Sequence, residues 1–233
     1  MSRYIILCGG YYGAGLPKQL REINGEPIVA RTIRLLRENG ISNIAITSLN
    51  PIFDKFGVER IIHENYFGQG GMWLEAFPET KGETVYLFGD VIYSPEAIRQ
   101  IIETEVEGIG FFASAPPFTS EYTKQWAEPF AFKVVNYFDF NDAVFVTKYL
   151  ADKGYFKRDP ISWELWQVIK GTPLNEIDYT NYCVINDYTC DADNENEFKR
   201  LCEVIKPKES NFERKCRVSM AESCFLDQGI TQC

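Results

Sequence analysis

The fold is decided by residues 5–20, which read Ile-Ile-Leu-Cys-Gly-Gly-Tyr-Tyr-Gly-Ala-Gly-Leu-Pro-Lys-Gln-Leu. An apolar run over residues 4–8 stops at the pair Gly9-Gly10, and Lys18 follows after two more glycines. A buried strand that runs into a glycine-rich loop lets backbone N–H groups come close to an anion, and a lysine adds a positive point charge. The arrangement predicts a nucleoside triphosphate site in this part of the chain.

The glycine loop matches neither of the two commonest phosphate-binding motifs. The P-loop requires Gly-x-x-x-x-Gly-Lys-[Ser/Thr], whereas Gly10 and Gly15 are followed here by Leu16 and Pro17. The dinucleotide fingerprint requires that the glycines run into a helix, which Pro17 would break. A strand-to-helix connection that binds no ligand is the alternative interpretation of the same glycines.

Hydrophobic patterning predicts strands and helices that alternate along the chain. The predicted strands cover residues 4–8, 43–47, 60–63, 84–88, 109–115, 130–135 and 179–185, and the predicted helices cover residues 27–39, 70–77, 94–102, 142–153, 162–170 and 194–205. This order favours an α/β fold, a single domain with a mixed, mostly parallel central sheet flanked by helices. Ligands of such sheets bind outside the carboxyl ends of the strands, where Gly9-Gly10 and Asp90 are both expected.

The first fifty residues resemble the nucleotidyltransferases of the glycosyltransferase-A-like fold, which include sugar-phosphate and phosphocholine cytidylyltransferases. The residues that carry the resemblance are Cys8-Gly9-Gly10, Gly13, Pro17-Lys18-Gln19-Leu20 and Gly25-Glu26-Pro27. The resemblance implies a fold like that of the nucleotide-diphospho-sugar transferases. The nucleotide-binding residues that follow are Leu7, Cys8, Gly9, Gly10, Tyr11, Gly13, Lys18 and Asp90, together with Gly70 and Gly71, which would let a ligand approach a later loop.

Two acidic residues are the candidate metal ligands. Asp90 follows the apolar run 84–88 and resembles the family's Gly-Asp motif, whose aspartate binds the catalytic magnesium. Asp193 takes the second metal position in the same resemblance, which makes Lys18, Asp90 and Asp193 the predicted catalytic residues and Mg²⁺ the predicted cofactor. Each acid also has a structural alternative, since aspartate forms local turns and caps helices. Asp187 remains a substitute for Asp193.

One departure from the family concerns arginine. The family commonly has an arginine between the glycines and the Pro-Lys pair that helps to hold the triphosphate, and this chain has none between Gly10 and Pro17. Lys18, with Arg21 or Arg3, is left for that contact. The departure keeps open a non-catalytic relative that binds a nucleotide or a partner.

The resemblance implies transfer of a nucleoside monophosphate to a small phosphorylated acceptor, with release of pyrophosphate. CMP from CTP is the favoured donor group, and phosphocholine, a sugar phosphate or a related phosphonate is the expected acceptor, for cell-surface polysaccharide biosynthesis. Residues 115–180 match nothing in the family and are expected to shape the acceptor pocket. A glycosyltransferase on the same fold is the alternative, but it would usually carry Asp-x-Asp where Gly89-Asp90-Val91 has one acid.

Composition excludes several other classes of function. The formal net charge of −9 disfavours nucleic-acid binding, which needs clustered lysine and arginine. No stretch approaches the roughly twenty apolar residues of a membrane span, and no signal peptide is visible, so a cytoplasmic location is expected. The predicted organisation is a nucleotidyltransferase-like domain over residues 1–205 and a tail over residues 206–233, and a homo-oligomer is possible.

Cysteine, histidine and aromatic residues carry less information. The seven cysteines and the single histidine form no zinc motif, because no Cys-x-x-Cys occurs. Cys8 is expected to pack as a small hydrophobe and His63 to be structural. The many aromatic residues either line a cage for a quaternary ammonium group or fill the core, and core packing is the favoured interpretation for Trp73.

Overall fold

The structure is a computed structural model that describes residues 2–9, 11–12, 16–62, 72–114 and 127–205. Contacts along the backbone divide the chain into two compact units, Met1–Asp191 and Ala192–Cys233. The residues Gly10, Gly13, His63, Gly70 and Gly71, for which the sequence makes predictions, fall outside the described residues.

The strands of the first unit are short, and seven of those described form one sheet. Their bounds are β1 (Arg3–Leu7), β2 (Tyr11–Tyr12), β3 (Leu16–Pro17), β4 (Glu22–Ile23), β5 (Glu26–Pro27), β6 (Ile44–Thr47), β7 (Glu59–Ile61), β8 (Thr84–Phe88), β9 (Ile109–Ala113), β10 (Pro129–Val134) and β11 (Cys183–Val184). The sheet order is β11-β9-β10-β8-β1-β6-β7, while β2-β3 and β4-β5 are separate two-stranded pairs.

The central strand of the site is β1, which pairs in parallel with both β6 and β8. β10 runs antiparallel to β8 and β9, and β11 runs parallel to β9. The predicted mixed, mostly parallel sheet is therefore confirmed. Because β1 is covered on both faces, it is a continuous apolar run rather than an alternating one, as is usual for buried parallel strands.

Helices cover both faces of the sheet. Their bounds are α1 (Ile28–Glu38), α2 (Pro95–Glu103), α3 (Tyr137–Asp152) and α4 (Ser162–Lys170), with short 3₁₀ helices at Lys18–Leu20, Pro51–Phe56 and Met72–Ala76. α1 and α2 pack with Tyr4 and Ile6 of β1 on one face. α3 and α4 pack with Ile5 and Leu7 on the other. Among the described residues, no helix is both long and apolar enough to cross a membrane.

Most predicted elements are present, and the helix caps explain where they begin. Ser94 caps α2, since its hydroxyl oxygen accepts from the Ala97 N–H at 2.8 Å. α3 begins at Tyr137 and not at the predicted residue 142, because the Asn136 side chain caps it by accepting from the Asp139 N–H.

The last predicted strand is much shorter than residues 179–185. The backbone carbonyl oxygen of Thr180 accepts hydrogen bonds from two side chains of α4, from Trp166 Nε1 at 3.3 Å and from Lys170 Nζ at 3.2 Å. Only Cys183–Val184 pairs with the sheet, as β11. Within the described part of the predicted helix over residues 70–77, the structure has the 3₁₀ helix Met72–Ala76.

Lys133 is a buried cation that caps the C-terminal end of α2. It lies on β10 with only 8% of its surface exposed. Its ammonium donates to the carbonyl oxygens of Ile102 at 2.8 Å and Thr104 at 2.7 Å. Helix carbonyls at a C-terminus have no partner within the helix, so this lysine satisfies groups that would otherwise be buried without hydrogen bonds.

We expect Lys133→Met to lower the free energy of unfolding by about 2 kcal/mol, because it leaves buried carbonyl oxygens without a donor. Urea unfolding followed by circular dichroism measures the change. Lys157→Met is the matched control, since Lys157 is exposed, and it should leave the midpoint unchanged. Equal midpoints for both variants would contradict the role given to Lys133.

Candidate functional site

The candidate site begins where β1 and β8 end side by side. The Gly89 N–H donates to the Leu7 carbonyl oxygen at 3.0 Å, and the Cys8 N–H donates to the Thr47 carbonyl oxygen at 3.0 Å. These bonds continue the parallel pairing one residue beyond the strands. Leu7 and Cys8 are buried, so they form the floor of this edge of the sheet.

The backbone at Gly89 lies so close to the end of β1 that a residue with a Cβ atom would not fit there. A Cβ atom there would lie 2.5 Å from the Leu7 carbonyl oxygen and 2.7 Å from Cys8 Sγ. Both distances are far inside van der Waals contact. The glycine therefore fixes how closely the turn after β8 can press against β1, and with it the position of Asp90.

Lys18 and Asp90 meet at this edge. The Lys18 ammonium nitrogen lies 3.8 Å from Asp90 Oδ2, with 21% and 28% of the two side chains exposed. The distance is that of an ion pair and is too long for a normal hydrogen bond. The two residues are 72 positions apart in the sequence, so the fold itself creates the pair.

A short hairpin places Lys18. The backbone of β2 pairs antiparallel with β3, which sets Tyr11 opposite Pro17. Lys18 directly follows and opens the 3₁₀ helix Lys18–Leu20, which the Arg21 N–H closes by donating to the Lys18 carbonyl oxygen at 3.1 Å. Tyr11, Lys18 and Arg21 are thus neighbours in one local structure. Arg3 lies at the opposite, amino end of β1 and pairs with Glu59 at 2.7 Å, so it does not reach this edge.

Burial and charge make the groups under Asp90 chemically inert. Burial raises the pKa of the Cys8 thiol well above its usual value, and the negative charge of Asp90 raises it further. The same causes raise the pKa of Tyr93 well above its usual value. Cys8 therefore remains a neutral thiol near neutral pH and is no nucleophile, in agreement with its expected role as a small hydrophobe.

The segment that follows Asp90 is anchored from several directions. The Tyr93 hydroxyl donates to the carbonyl oxygen of Phe130 at 2.5 Å, and Ile92 forms an antiparallel bridge with Cys190. Arg31 of α1 donates to the Tyr93 carbonyl oxygen. With both its backbone and its side chain held, this segment gives Asp90 a rigid support.

Arg31 is a residue that sequence reasoning misplaced. The spacing of three between Arg31, Arg34 and Arg37 predicts that these residues form one solvated face. Arg31 is only 2% exposed, whereas Arg34 lies at the surface and pairs with Glu26 at 2.8 Å. Its spacing from the buried residue Leu35, four positions later, was the signal that could have placed it in the interior.

Asp187, the substitute metal ligand, has a structural role. One of its carboxylate oxygens accepts from the Ser94 hydroxyl, and the other accepts from the Thr189 N–H at 2.7 Å. Ser94 caps α2 at the same time. Asp187 thus supports the start of α2, and its geometry favours that role over a metal.

Asp193 belongs to the second unit, in which residues 195–205 are helical. Asn194 Oδ1 accepts from the Glu197 N–H at 3.0 Å, so Asn194 caps the helix. The Asp193 N–H donates to Glu197 Oε2 at 3.0 Å, so the Glu197 side chain also holds the residue before the cap. The capping role that competed with metal binding at Asp193 is therefore taken by its neighbour.

Gly9 and Trp73, which the sequence also singles out, lie in different parts of the structure. Gly9 follows Cys8 at the same edge and is half-buried. Trp73 packs in the aromatic core, with its ring centroid 5.4 Å from that of Phe77 and 6.1 Å from that of Phe88. This contact agrees with core packing as the interpretation of Trp73.

The acidic groups suit a cation that is shared with a substrate. In the parts of the chain that the structure describes, no group of three or more His, Cys, Asp or Glu side chains could hold a metal ion. A protein cage for Ca²⁺ or Zn²⁺ would need such a group. Mg²⁺ instead takes one or two carboxylates together with substrate phosphates and water, and the partly exposed carboxylate of Asp90 fits that chemistry.

Comparison with known proteins identifies the fold of this chain. No protein-family model matches the chain, and no curated protein matches it. A Bacillus anthracis protein assigned as a glucose-1-phosphate thymidylyltransferase, solved with sucrose, is 16% identical; the match covers 88% of this chain and 95% of that one, with a TM-score of 0.54. The chain has the fold of the nucleotidyltransferases.

Two further solved structures share this fold. The inositol-1-phosphate CTP transferase from T. maritima is 13% identical, with a TM-score of 0.51 over 88% of this chain and 96% of that one. The CTP:phosphocholine cytidylyltransferase from Streptococcus pneumoniae is 14% identical, with a TM-score of 0.50 over 88% and 99%. The nucleotidyltransferase resemblance and the fold class predicted from the sequence are confirmed.

We expect Gly89→Ala to lower the free energy of unfolding by about 2 kcal/mol, because the added methyl group must displace the end of β1. Gly82→Ala is the matched control, since a Cβ atom there meets nothing within 4 Å. Urea midpoints of both variants measure the difference. A Gly89→Ala protein as stable as the Gly82→Ala protein would refute the close approach.

Proposed function

We propose that this protein transfers a nucleoside monophosphate from a nucleoside triphosphate to a small phosphorylated acceptor and releases pyrophosphate. The observation that carries the proposal is the 3.8 Å pair of Lys18 Nζ and Asp90 Oδ2 at the carboxyl edge of β1 and β8. One cation for phosphates and one hard oxygen ligand for Mg²⁺ stand side by side there. The nucleotidyltransferase fold supports the same activity.

The proposed reaction is a substitution at phosphorus. An acceptor phosphate oxygen forms a bond to the α-phosphorus, and the bond from that phosphorus to the oxygen of the β-phosphate breaks. The electron pair leaves with pyrophosphate. No side-chain nucleophile is needed, which agrees with the neutral thiol of Cys8, so catalysis consists of alignment and charge stabilisation.

Lys18 has the role of a phosphate-binding cation. Its ammonium would bind the triphosphate and stabilise the negative charge that builds on the departing pyrophosphate. Arg21, which directly follows the same 3₁₀ helix, is proposed to add positive charge where the loop lacks an arginine. The backbone of Gly9 and Tyr11 would line the nucleotide, with Gly10, Gly13, Gly70 and Gly71 as further proposed contacts.

Asp90 has the role of a metal ligand, with Asp193 as the proposed second carboxylate. Mg²⁺, when bound, would draw charge from the α-phosphate and bring the acceptor phosphate beside it. Asp90 would hold its carboxylate in place for that cation because Gly89 and Tyr93 fix the turn on either side. Holding the acceptor would fall to residues 115–180, within a domain over residues 1–205.

The donor and the acceptor are proposed by comparison with the similar solved structures. Two of the similar structures are a CTP:phosphocholine cytidylyltransferase and an inositol-1-phosphate CTP transferase, so CTP is the proposed donor. Phosphocholine, inositol phosphate and sugar phosphates are the acceptor classes to be compared. Since nucleoside triphosphates are cytoplasmic metabolites, we propose a cytoplasmic reaction.

Pyrophosphate release with each of the four common nucleoside triphosphates, across these acceptors and with Mg²⁺, tests the proposal. We expect turnover with CTP and one acceptor class, and loss of turnover when EDTA removes the metal. Release of a nucleoside diphosphate from a nucleotide sugar would instead indicate the glycosyltransferase alternative. No turnover with any pair, while CTP still binds, would indicate the non-catalytic relative.

Substitutions at the site should separate its two roles. Asp90→Asn should abolish turnover, and Lys18→Met should lower kcat/KM by about 10²-fold, the usual effect of removing one charge-stabilising donor. Glu107→Gln and Lys81→Met are the controls, since both residues are exposed and lie outside residues 115–180. Unchanged turnover in Asp90→Asn, with the fold intact by circular dichroism, would remove the metal assignment.

A further inference from the structure

The outward face of α3 is unusual among the helices of this protein. Phe138 is 66% exposed, Phe145 is 70%, Tyr149 is 53% and Val146 is 40%. By contrast, the outward face of α1 carries arginine and glutamate, including Arg34. α3 buries a second set of residues, including Phe140, toward the sheet. A helix that is apolar all round is normally buried on both sides.

The exposed residues form one continuous stripe. Phe138, Asp142, Phe145, Tyr149 and Asp152 follow each other at spacings of four and three, which is the spacing of residues along the seam between two packed helices. We call this set, with Val146 and Lys153, the α3 stripe. At about 200 Å² for a whole aromatic side chain, its three exposed rings present roughly 400 Å² of apolar surface. That is about half of what one partner contributes to a typical protein interface.

The charges of the α3 stripe distinguish between possible occupants. The first half of α3 carries Asp139 and Asp142, and the end carries Lys148, Asp152 and Lys153. The net charge is therefore negative at the start of the helix and positive at its end. The Lys153 ammonium lies 5.5 Å from the centre of the Tyr149 ring, which places its charge on the stripe.

A second copy of the same helix, running antiparallel, matches this pattern. With the two-fold axis between residues 147 and 148, Asp142 of one copy faces Lys153 of the other, and Val146 faces Tyr149. A parallel pair would set Asp142 against Asp142 and Lys153 against Lys153, which costs energy. Antiparallel packing also sets the helix dipoles in opposite directions. A two-fold interface is self-complementary by definition, and it is the commonest way in which proteins form oligomers.

An anionic membrane surface fits the stripe less well. Amphipathic helices that lie on membranes are rich in lysine and arginine on their polar face. This chain carries a formal net charge of −9, and the stripe itself contains two aspartates. Repulsion from anionic lipids would oppose docking there.

We propose that two copies of this chain form a two-fold symmetric dimer through antiparallel packing of their α3 stripes. Phe145 and Tyr149 form the apolar centre of the interface, and the facing pair of Asp142 and Lys153 sets the direction and register. The proposal does not depend on the reaction assigned to Lys18 and Asp90, because its test measures association of the chains and not turnover.

Sedimentation velocity of the full chain over a range of concentrations tests the dimer. The wild type should have the mass of two chains, and Phe145→Glu should raise the dimer dissociation constant by at least about 30-fold, as loss of a central interface residue does. Ile62→Glu is the matched control, since Ile62 is 62% exposed and lies outside the stripe. It should leave the dimer intact.

A charge exchange tests the direction and register. Asp142→Lys alone and Lys153→Asp alone should each weaken the dimer, because each sets like charges against one another. The double variant restores opposite charges and should recover the wild-type dissociation constant to within about threefold, since the pairing energies of close charges are coupled. All of these side chains are exposed, so the variants should fold, which circular dichroism confirms.

Several results would overturn the proposal. A monomeric wild type at every concentration would do so, whether or not it binds vesicles that contain phosphatidylserine. A dimer that survives Phe145→Glu would show that another face forms the interface. A double charge exchange that weakens the dimer as much as the sum of its two single variants would exclude the antiparallel register.

Discussion

The site depends on the contact between the end of β1 and the turn after β8. Gly89 lies so close to Leu7 and Cys8 that a single methyl group would not fit. This contact fixes the position of Asp90 relative to the sheet. The antiparallel pair β2–β3 places Lys18 beside Asp90. The proposed roles of Lys18 in phosphate binding and of Asp90 in metal binding require a controlled separation of the two groups, and the backbone contact at Gly89 limits where Asp90 can lie.

An acidic protein must concentrate positive charge locally to bind a triphosphate. The net charge of −9 repels polyanions in general. Lys18 supplies a cation at one edge of the sheet, and Arg21 is proposed to add a second. A divalent cation shared with Asp90 would convert a repulsive carboxylate into an attractive contact. The proposed metal dependence follows from the charge of the chain as much as from its fold.

Local signals predicted the parts of the structure that local physics determines. The apolar runs, the glycine pair and the Ser94 cap gave β1, β8 and α2 nearly to the residue, and the rule that ligands bind at the carboxyl ends of strands brought Lys18 and Asp90 together. Arg31 was misplaced because its spacing matches that of two exposed arginines, although Leu35, four residues later, lies on the buried side of α1. The short β11 depends on hydrogen-bond partners from α4, and the start of α3 depends on the local cap of Asn136, which the apolar pattern does not reveal.

The measurement that tests the central claim most directly is a crystal structure of the full chain with CTP and Mg²⁺. The account predicts that the triphosphate lies against the glycine turn, with Lys18 Nζ bonded to a phosphate oxygen and Mg²⁺ bonded to the Asp90 carboxylate. A nucleotide bound elsewhere on the protein, with Lys18 and Asp90 still paired to each other, would contradict it.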